Sequence, residues 1–287
     1  MFVYKRPWHT RQALEALQKN DLADQSMLYV YADGAKRDAT LDDLNAIEET
    51  RALVKSKSWC GKVQLIERES NLGLAENVIS GITEVVQKHG RVIVLEDDLI
   101  TSPYFLTYCN DGLDLYENDS NVYAINGYQF PIDVEKVDTF LCPLATSSWG
   151  WATWSSSWAS FSRQLNFKDV IQNKDVIKAR FNIADYDYAT MLNNEKSWAI
   201  KWYYSVFLKN GLGLFPTRTL VTNIGFDGSG EHSSNTDHQQ ALVQSRVVLE
   251  KKEIIHLGLY AKLLDYFKID NKKQETFFTR IAKKISR

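Results

Sequence analysis

The first hundred residues alternate between apolar segments of strand length and amphipathic segments of helix length. The predicted strands lie in "FVY", "SMLYVYADG", "KVQLIERE" and "RVIVLEDD". The predicted helices between them have Thr10 as an N-cap, Thr40 and Asp43 as a second helix start, and Gly90 as a C-cap. Strands joined through helices are typical of a parallel sheet. The order therefore predicts an α/β, Rossmann-like fold, with a mostly parallel sheet and helices on both faces.

The composition narrows the class of protein. The net charge of −2 argues against a nucleic-acid binder that uses a basic surface. The cysteines at 60, 109 and 142 are widely spaced and form no metal-ligand pattern, which favours a reduced, cytoplasmic protein. The segment "MFVYKRPWHT" has no apolar run of the signal-peptide type. No uncharged apolar run approaches the ~20 residues that a membrane helix needs.

Three carboxylates follow directly on the fourth predicted strand, at Glu96, Asp97 and Asp98. Asp33 ends the second strand, and the carboxyl ends of parallel strands meet at the edge where ligands bind. Adjacent carboxylates repel each other and are unfavourable to bury without a positive partner. Mg²⁺ and Mn²⁺ prefer such hard oxygen ligands. The pattern predicts a divalent metal site, and a solvated acidic turn is the alternative.

Four segments together resemble a bacterial group of GT-A glycosyltransferases of the N-acetylglucosaminyltransferase I type, which carry an E-D-D metal motif. The segments are "VYKRPWHTRQALEAL", "ERESNLGLAENVISGI", "VIVLEDDLITSPYFL" and "NIGFDGSGEHS". The resemblance implies a GT-A domain over residues 1–245 and a Mn²⁺ or Mg²⁺ cofactor. It implies inverting transfer from a nucleotide-sugar donor to a hydroxyl of a glycan or lipid-linked acceptor in cell-surface polysaccharide synthesis. It favours a UDP-linked donor, with UDP-N-acetylglucosamine the first to test.

The resemblance also assigns metal and donor contacts. Asp98 matches the direct metal ligand, and His232 matches a histidine that completes the metal shell, with a structural role as its alternative. Glu96 and Asp97 would contact ribose, sugar hydroxyls or metal-bound water. The other expected donor contacts are Val3, Tyr4 and Arg6 near the base, Asp33 at the base or ribose, Arg68 near the phosphates, and Asn71 in the adjoining turn.

The segment "SSWGWATWSSSW" contains four of the eight tryptophans, and its serines and glycine favour a loop. It falls where the family has a loop over the donor sugar and the acceptor. Aromatic side chains pack on sugar rings, but they are also common in cores. We expect Trp149, Gly150 and Trp151 to contact the donor. For Trp154 and Trp158, core packing is the alternative.

Inverting transfer needs a general base that takes the proton of the acceptor hydroxyl. The family carries an acidic residue at a helix start after the tryptophan loop, and "IADYDYATML" offers Asp187 there, with Asp185 as the second choice. Asp227 and Glu231 are further candidates close to the expected metal histidine. Each of these carboxylates could instead cap a helix or remain solvated.

Two other classes of protein compete with this interpretation. A sugar-nucleotide pyrophosphorylase would carry a glycine-rich basic loop after its first strand, and "VYKRPWHT" has no glycine. A non-catalytic carbohydrate- or nucleotide-sugar-binding protein would explain the tryptophans but not three carboxylates at a strand end. P-loop chemistry is excluded because the sequence has no G-x-x-x-x-G-K-[ST].

Residues 246–287 are predicted to form a basic, amphipathic, helical tail. From Lys268 to Arg287 the chain has seven Lys or Arg against two Asp or Glu. Apolar residues recur at helical spacing between the basic ones, a pattern typical of an interfacial helix. They are Phe277, Phe278, Ile281 and Ile285. This pattern predicts that the tail binds peripherally at the inner face of an anionic membrane. The alternative is that the tail packs on the domain or on a second subunit.

Overall fold

The structure is a computed structural model, and it describes residues 1–134, 137–143, 147–163, 181–184, 186–194, 196–228 and 240–268. Its helices include α1 (Pro7–Gln18), α2 (Leu41–Lys55), α3 (Leu74–His89), α4 (Phe105–Leu115), α5 (Ser155–Trp158), α6 (Tyr188–Met191) and α7 (Trp198–Leu208). Its strands are β1 (Phe2–Val3), β2 (Met27–Ala32), β3 (Lys62–Glu67), β4 (Arg91–Val94), β5 (Leu99–Thr101), β6 (Val122–Asn126), β7 (Thr139–Cys142), β8 (Trp151–Trp154), β9 (Leu212–Pro216) and β10 (Val221–Asn223).

Strands β1–β4 and β6–β9 form a mixed array in which most strands run in the same direction. Strands β1, β2 and β3 pair in parallel, in that order. The second group has the order β4-β8-β6-β9-β7, in which β7 and β8 are antiparallel to their neighbours. The Phe2 N–H donates to the Leu95 carbonyl at 3.0 Å, so β1 lies beside the end of β4 and joins the two groups. The predicted α/β fold is confirmed.

Side chains alternate between two cores on the two faces of the sheet, because successive strand residues point to opposite sides. In β2, Tyr29 and Tyr31 belong to the core that contains α3, α5 and α7. Leu28, Val30 and Ala32 belong to the core that contains α1, α2 and α4. Helices therefore cover both faces, as predicted.

The ends of three helices test the capping residues predicted from the sequence. Thr40 and Asp43 form a reciprocal capping box, with both hydrogen bonds at 3.2 Å, as expected. Gly90 ends α3 with a left-handed φ of 76°, also as expected. The N-cap predicted at Thr10 is wrong, since α1 begins at Pro7 and Thr10 lies within it. Proline is favoured at the first helical position because its missing N–H needs no partner there.

Four tryptophans form the centre of the core between β8 and α7. The ring of Trp151 stacks on Trp198 and on Trp202, each with 5.8 Å between ring centroids. Trp158 packs against Trp202 at 5.0 Å. Trp154 is also buried and donates from Nε1 to the Leu113 carbonyl at 3.2 Å. Most of the tryptophan-rich segment therefore builds the scaffold.

The first part of the predicted tail packs on the body of the chain. Residues 257–268 are helical, and Leu259, Leu263 and Phe267 are buried. The ring of Phe267 contacts Phe130 at 5.1 Å and Tyr186 at 5.7 Å. The residues that carry the membrane prediction, from Phe277 to Arg287, lie outside the described residues. None of the described helices combines the length and the apolar character needed to cross a membrane.

Candidate functional site

A crevice of about 480 Å³ opens at the edge of the sheet where β1, β2 and β4 end. It is lined by a large share of the predicted site residues: Val3, Tyr4, Arg6, Asp33, Asn71, Glu96, Asp97, Asp98 and Trp149. Arg68, Gly150, Trp151 and Asp187 are not part of its lining. His232 lies outside the described residues. A parallel sheet thus places residues from distant parts of the chain at one edge.

A second cavity of about 410 Å³ lies at the opposite edge of the sheet, between β2 and β4. Its lining is mostly apolar and includes Tyr29, Ile82, Val85 and Val92. Of the described residues that line it, none is an Asp or a Glu. The carboxylates therefore make the crevice, and not this cavity, the candidate site.

One guanidinium faces the carboxylates at the end of β4. Arg6 Nη1 donates to Asp98 Oδ2 at 2.9 Å and, more weakly, to Asp97 Oδ1 at 3.4 Å. Both carboxylate side chains are largely buried, with 16% of Asp98 and 10% of Asp97 exposed. Among the described residues, Arg6 is the one cation within ion-pair distance of this group. When ionised, Glu96, Asp97 and Asp98 therefore carry two negative charges more than Arg6 balances.

Burial and the excess negative charge together raise the pKa values of Glu96 and Asp97. Burial, followed by the charges of Asp98 and Asp97, raises the pKa of Glu96. Burial, followed by the charge of Asp98, also raises the pKa of Asp97, and Arg6 offsets only part of the effect. A carboxyl group with a raised pKa favours a proton or another cation. The end of β4 is consequently a site that favours positive charge.

The carboxylate of Asp33 is fully occupied by donors from its own scaffold. Its Oδ1 accepts from the N–H groups of Gly34 at 2.9 Å and Leu72 at 2.8 Å. Its Oδ2 accepts from the Gly73 N–H at 3.0 Å and from Asn71 Nδ2 at 3.1 Å. A carboxylate has about four acceptor positions, so these four donors fill them. In this structure Asp33 and Asn71 tie the end of β2 to the loop before α3.

Arg68 is held away from the crevice. Its guanidinium donates to Asn77 Oδ1 and Ser80 Oγ, both at 3.3 Å, and lies 5.2 Å from the centre of the Tyr31 ring. These contacts join the end of β3 to α3. The structure thus gives Arg68 a packing role and no contact with the acidic group.

Trp149 forms one wall of the crevice together with Phe226. Their rings meet edge to face at 5.4 Å, and Tyr128 supports Trp149 from another side at 4.6 Å. Gly150 turns the chain after Trp149 with a φ of 67°, and a Cβ at this position would lie 2.7 Å from Val221. The turn directs Trp149 into the crevice and Trp151 into the core. The donor contact predicted for Trp151 has no support in this arrangement, since its ring is fully buried.

Asp187 is exposed and caps α6. It accepts from the Thr190 N–H at 3.2 Å and from Asn182 Nδ2 at 3.0 Å. The capping role named as its alternative is therefore present. Asp185 and Glu231 lie outside the described residues.

A histidine that the sequence interpretation missed lies beside the acidic group. His9 Nε2 is 3.0 Å from Asp227 Oδ2, and His9 is only 6% exposed. Burial, followed by the charge of Arg6, lowers the pKa of His9. The available signal was helical spacing, because His9 follows Arg6 by three residues and so faces the same side of α1.

Comparison with known proteins gives distant structural matches. No family model and no curated protein matches the chain. Among the solved structures, 22 chains match. One is a mannosyltransferase from Pyrobaculum calidifontis in complex with GDP-Man and Mn²⁺, with 12% identity, a TM-score of 0.35, and coverage of 54% of this chain and 44% of its own. Another is an apo UDP-glucose pyrophosphorylase, with 8% identity, a TM-score of 0.33, and coverage of 74% and 88%. At these identities the likeness concerns the α/β fold alone.

Proposed function

We propose that this chain is a metal-dependent, inverting GT-A glycosyltransferase, which moves a sugar from a nucleotide-sugar donor to a hydroxyl of a glycan or lipid-linked acceptor. The observation that carries the proposal is the buried group of Glu96, Asp97 and Asp98, which Arg6 only partly neutralises. Such a group at the carboxyl edge of a parallel sheet fits a cation and an anionic ligand bound together.

The residues present fit a divalent cation of the Mg²⁺ or Mn²⁺ type. The side-chain atoms at the end of β4 that could bind a metal ion are all carboxylate oxygens. Their excess of two negative charges equals in magnitude the charge of one such ion. The described residues contain no cluster of three or more His, Cys, Asp or Glu that could hold a metal. These ions commonly bind through one or two carboxylates plus substrate phosphates, and such a cluster is not required. Asp98, with Asp97, would hold the ion, and His232 is proposed as a further ligand.

A bound divalent ion would supply charge stabilisation for the departing nucleoside diphosphate. The protein would supply orientation. Tyr4 and Val3 line the crevice at the end of β1, where we place the base, and Lys36 and Lys196 add positive charge to its lining. The faces of Trp149 and Phe226 would pack on the sugar ring, since aromatic rings pack on the apolar faces of sugars.

A screen of nucleotide sugars tests the function directly. In the presence of Mn²⁺, the correct donor at about one hundred times its Kd should raise the Tm by roughly 5 °C. Transfer would then appear as donor consumption that requires an acceptor alcohol. Donor consumption that requires pyrophosphate would instead identify a pyrophosphorylase. Stabilisation without turnover in either assay would identify a binding protein.

We propose Asp187 as the general base, and the exchange of Asp187 for Asn separates this role from capping. Asparagine caps helices as well as aspartate does, so the free energy of unfolding should stay unchanged. Turnover should fall roughly 10²–10⁴-fold, the usual effect of losing a general base. Steady-state kinetics with saturating donor measure it. Parental turnover in Asp187→Asn would limit this residue to capping and move the base to Asp185, Asp227 or Glu231.

We further propose that residues 269–287 bind the inner face of an anionic membrane. Each basic residue near such a surface contributes about 1 kcal/mol, so the double change Lys283→Gln and Lys284→Gln should weaken vesicle binding roughly thirtyfold at low salt. Co-sedimentation with anionic vesicles measures this. A chain that ends after Lys268 keeps the buried Phe267 and should not bind. Equal binding by this shortened chain would show that the tail is not the anchor.

A further inference from the structure

Residues 223–228, which run from the last residue of β10 into the loop after it, lie directly on the ion pair between Arg6 and Asp98. The Ile224 N–H donates to the Asp98 carbonyl at 2.9 Å. Gly225 approaches so closely that a Cβ there would lie 2.2 Å from Asp98 Oδ2 and 2.9 Å from Arg6 Nη2. Backbone is therefore packed against the charged group with no room for a side chain between them.

The other end of this loop is held from α1. Asp227, whose side chain is 46% exposed, lies 3.0 Å from the buried His9 Nε2. The ring of Trp8 meets the ring of His9 edge to face at 4.8 Å. Arg6 is the N-cap of α1 and His9 follows within its first turn, so the start of one helix lies beside both Gly225 and Asp227.

The loop also carries part of the crevice wall. Gly225 and Phe226 line the crevice, and Phe226 supports Trp149 at 5.4 Å. A displacement of the loop would therefore move the aromatic wall and uncover Asp98 together. Among the described residues, the pair of His9 and Asp227 is one contact that opposes such a displacement at the downstream end of the loop.

We propose that His9 is a positioning residue that binds Asp227 and so keeps residues 223–228 seated on Arg6 and Asp98. The consequence for donor binding rests on the proposed function, because that wall is where the sugar and its diphosphate would lie. The seating of the loop is a property of the ligand-free chain. It can be measured without metal, donor or acceptor.

Amide hydrogen exchange on the full chain tests the seating of the loop. In His9→Ala, the amides of Ile224 and Gly225 should exchange roughly ten- to a hundredfold faster, because the close contact between His9 and the charged Asp227 is lost. His9→Gln should restore part of the protection, because its side-chain amide can donate to Asp227. Asp227→Ala removes the same contact from its exposed side and should match His9→Ala, which covers the case that His9→Ala fails to fold.

His89→Ala is the matched control. His89 Nε2 also has a partner, the Tyr29 hydroxyl at 2.8 Å, but it lies at the opposite edge of the sheet. This variant should leave the exchange of Ile224 and Gly225 unchanged. Parental exchange in both His9→Ala and Asp227→Ala would overturn the proposal.

Kinetics then separate positioning from a purely structural role. His9→Ala should raise the KM for the donor roughly tenfold, while kcat changes less than about threefold, because the metal ligands and the base remain in place. An unchanged donor KM, in a parent whose donor binding depends on Asp98, would overturn the positioning role and leave the proposed function standing. If the parent binds no nucleotide sugar, the proposed function fails, and the exchange experiment still decides whether His9 seats the loop.

Discussion

Asp98→Asn should abolish Mn²⁺-dependent donor binding and lower turnover by roughly 10²–10³-fold, while the protein stays folded. Asn keeps the shape of the side chain and still accepts from Arg6, whose Nη1 lies 2.9 Å from Asp98 Oδ2. The change removes one of three crowded negative charges, so repulsion with Glu96 and Asp97 is relieved. The lost property is a charged oxygen ligand for the cation, and calorimetric titration with Mn²⁺ and nucleotide sugar measures it.

Asp114→Asn is the matched control for this experiment. Asp114 also pairs with an arginine, Arg91, but the pair lies at the start of β4 and away from the crevice. It should leave donor binding and turnover at the parental level. If Asp98→Asn binds Mn²⁺ and the donor as the parent does, the assignment of the metal to the end of β4 is wrong.

Glu96→Gln should stabilise the ligand-free protein by about 4 kcal/mol at pH 8 and leave its stability nearly unchanged at pH 4.5. Burial, followed by Asp98 and Asp97, raises the pKa of Glu96 from 4.5 to about 8. Between these values the folded chain keeps a proton that the unfolded chain has released. The stability contributed by this group is therefore lost as the pH rises through that window, and the variant has no such group to titrate.

Urea unfolding of parent and variant at several pH values measures the difference, which removes the contribution of the shared groups that do not interact with Glu96. Glu117→Gln, on an exposed side chain, should give parallel curves. Saturating Mn²⁺ with donor should reverse the order, because the cation then stabilises the charged form of the parent. Parallel curves for Glu96→Gln would show that the end of β4 accommodates its charges without a cation.

The fold was predictable where its signals are local. The capping box of Thr40 and Asp43 and the glycine that ends α3 each depend on neighbouring residues, and the structure has both. The reversal of β7 and β8 was not predictable, because β8 pairs with β4 and β6 and no local pattern records such a choice. At α1, Pro7 and not the hydroxyl of Thr10 marks the start of the helix.

The features of the candidate site also fall into those that the sequence predicts and those that it does not. The meeting of Asp33, Arg6 and the carboxylates at one edge follows from a parallel sheet, and this was predictable. The pairing of His9 with Asp227 joins residues that lie far apart in the chain, and no local pattern at either residue predicts it. Trp149 and Trp151 look equivalent in the sequence. The turn at Gly150 and the alternation of β8 place one ring in the crevice and the other in the core.

The hydrogen bonds of Asp33 determine how its conservation in divergent relatives should be interpreted. The four hydrogen bonds of Asp33 hold β2 to the loop before α3. An aspartate that is conserved at this position would therefore indicate selection for folding and not for the choice of nucleotide sugar. Evolutionary change in donor preference would instead be found at crevice positions such as Lys36, Ser148 and Phe226. A lineage could then exchange one nucleotide sugar for another while the acidic strand end and its scaffold remain the same.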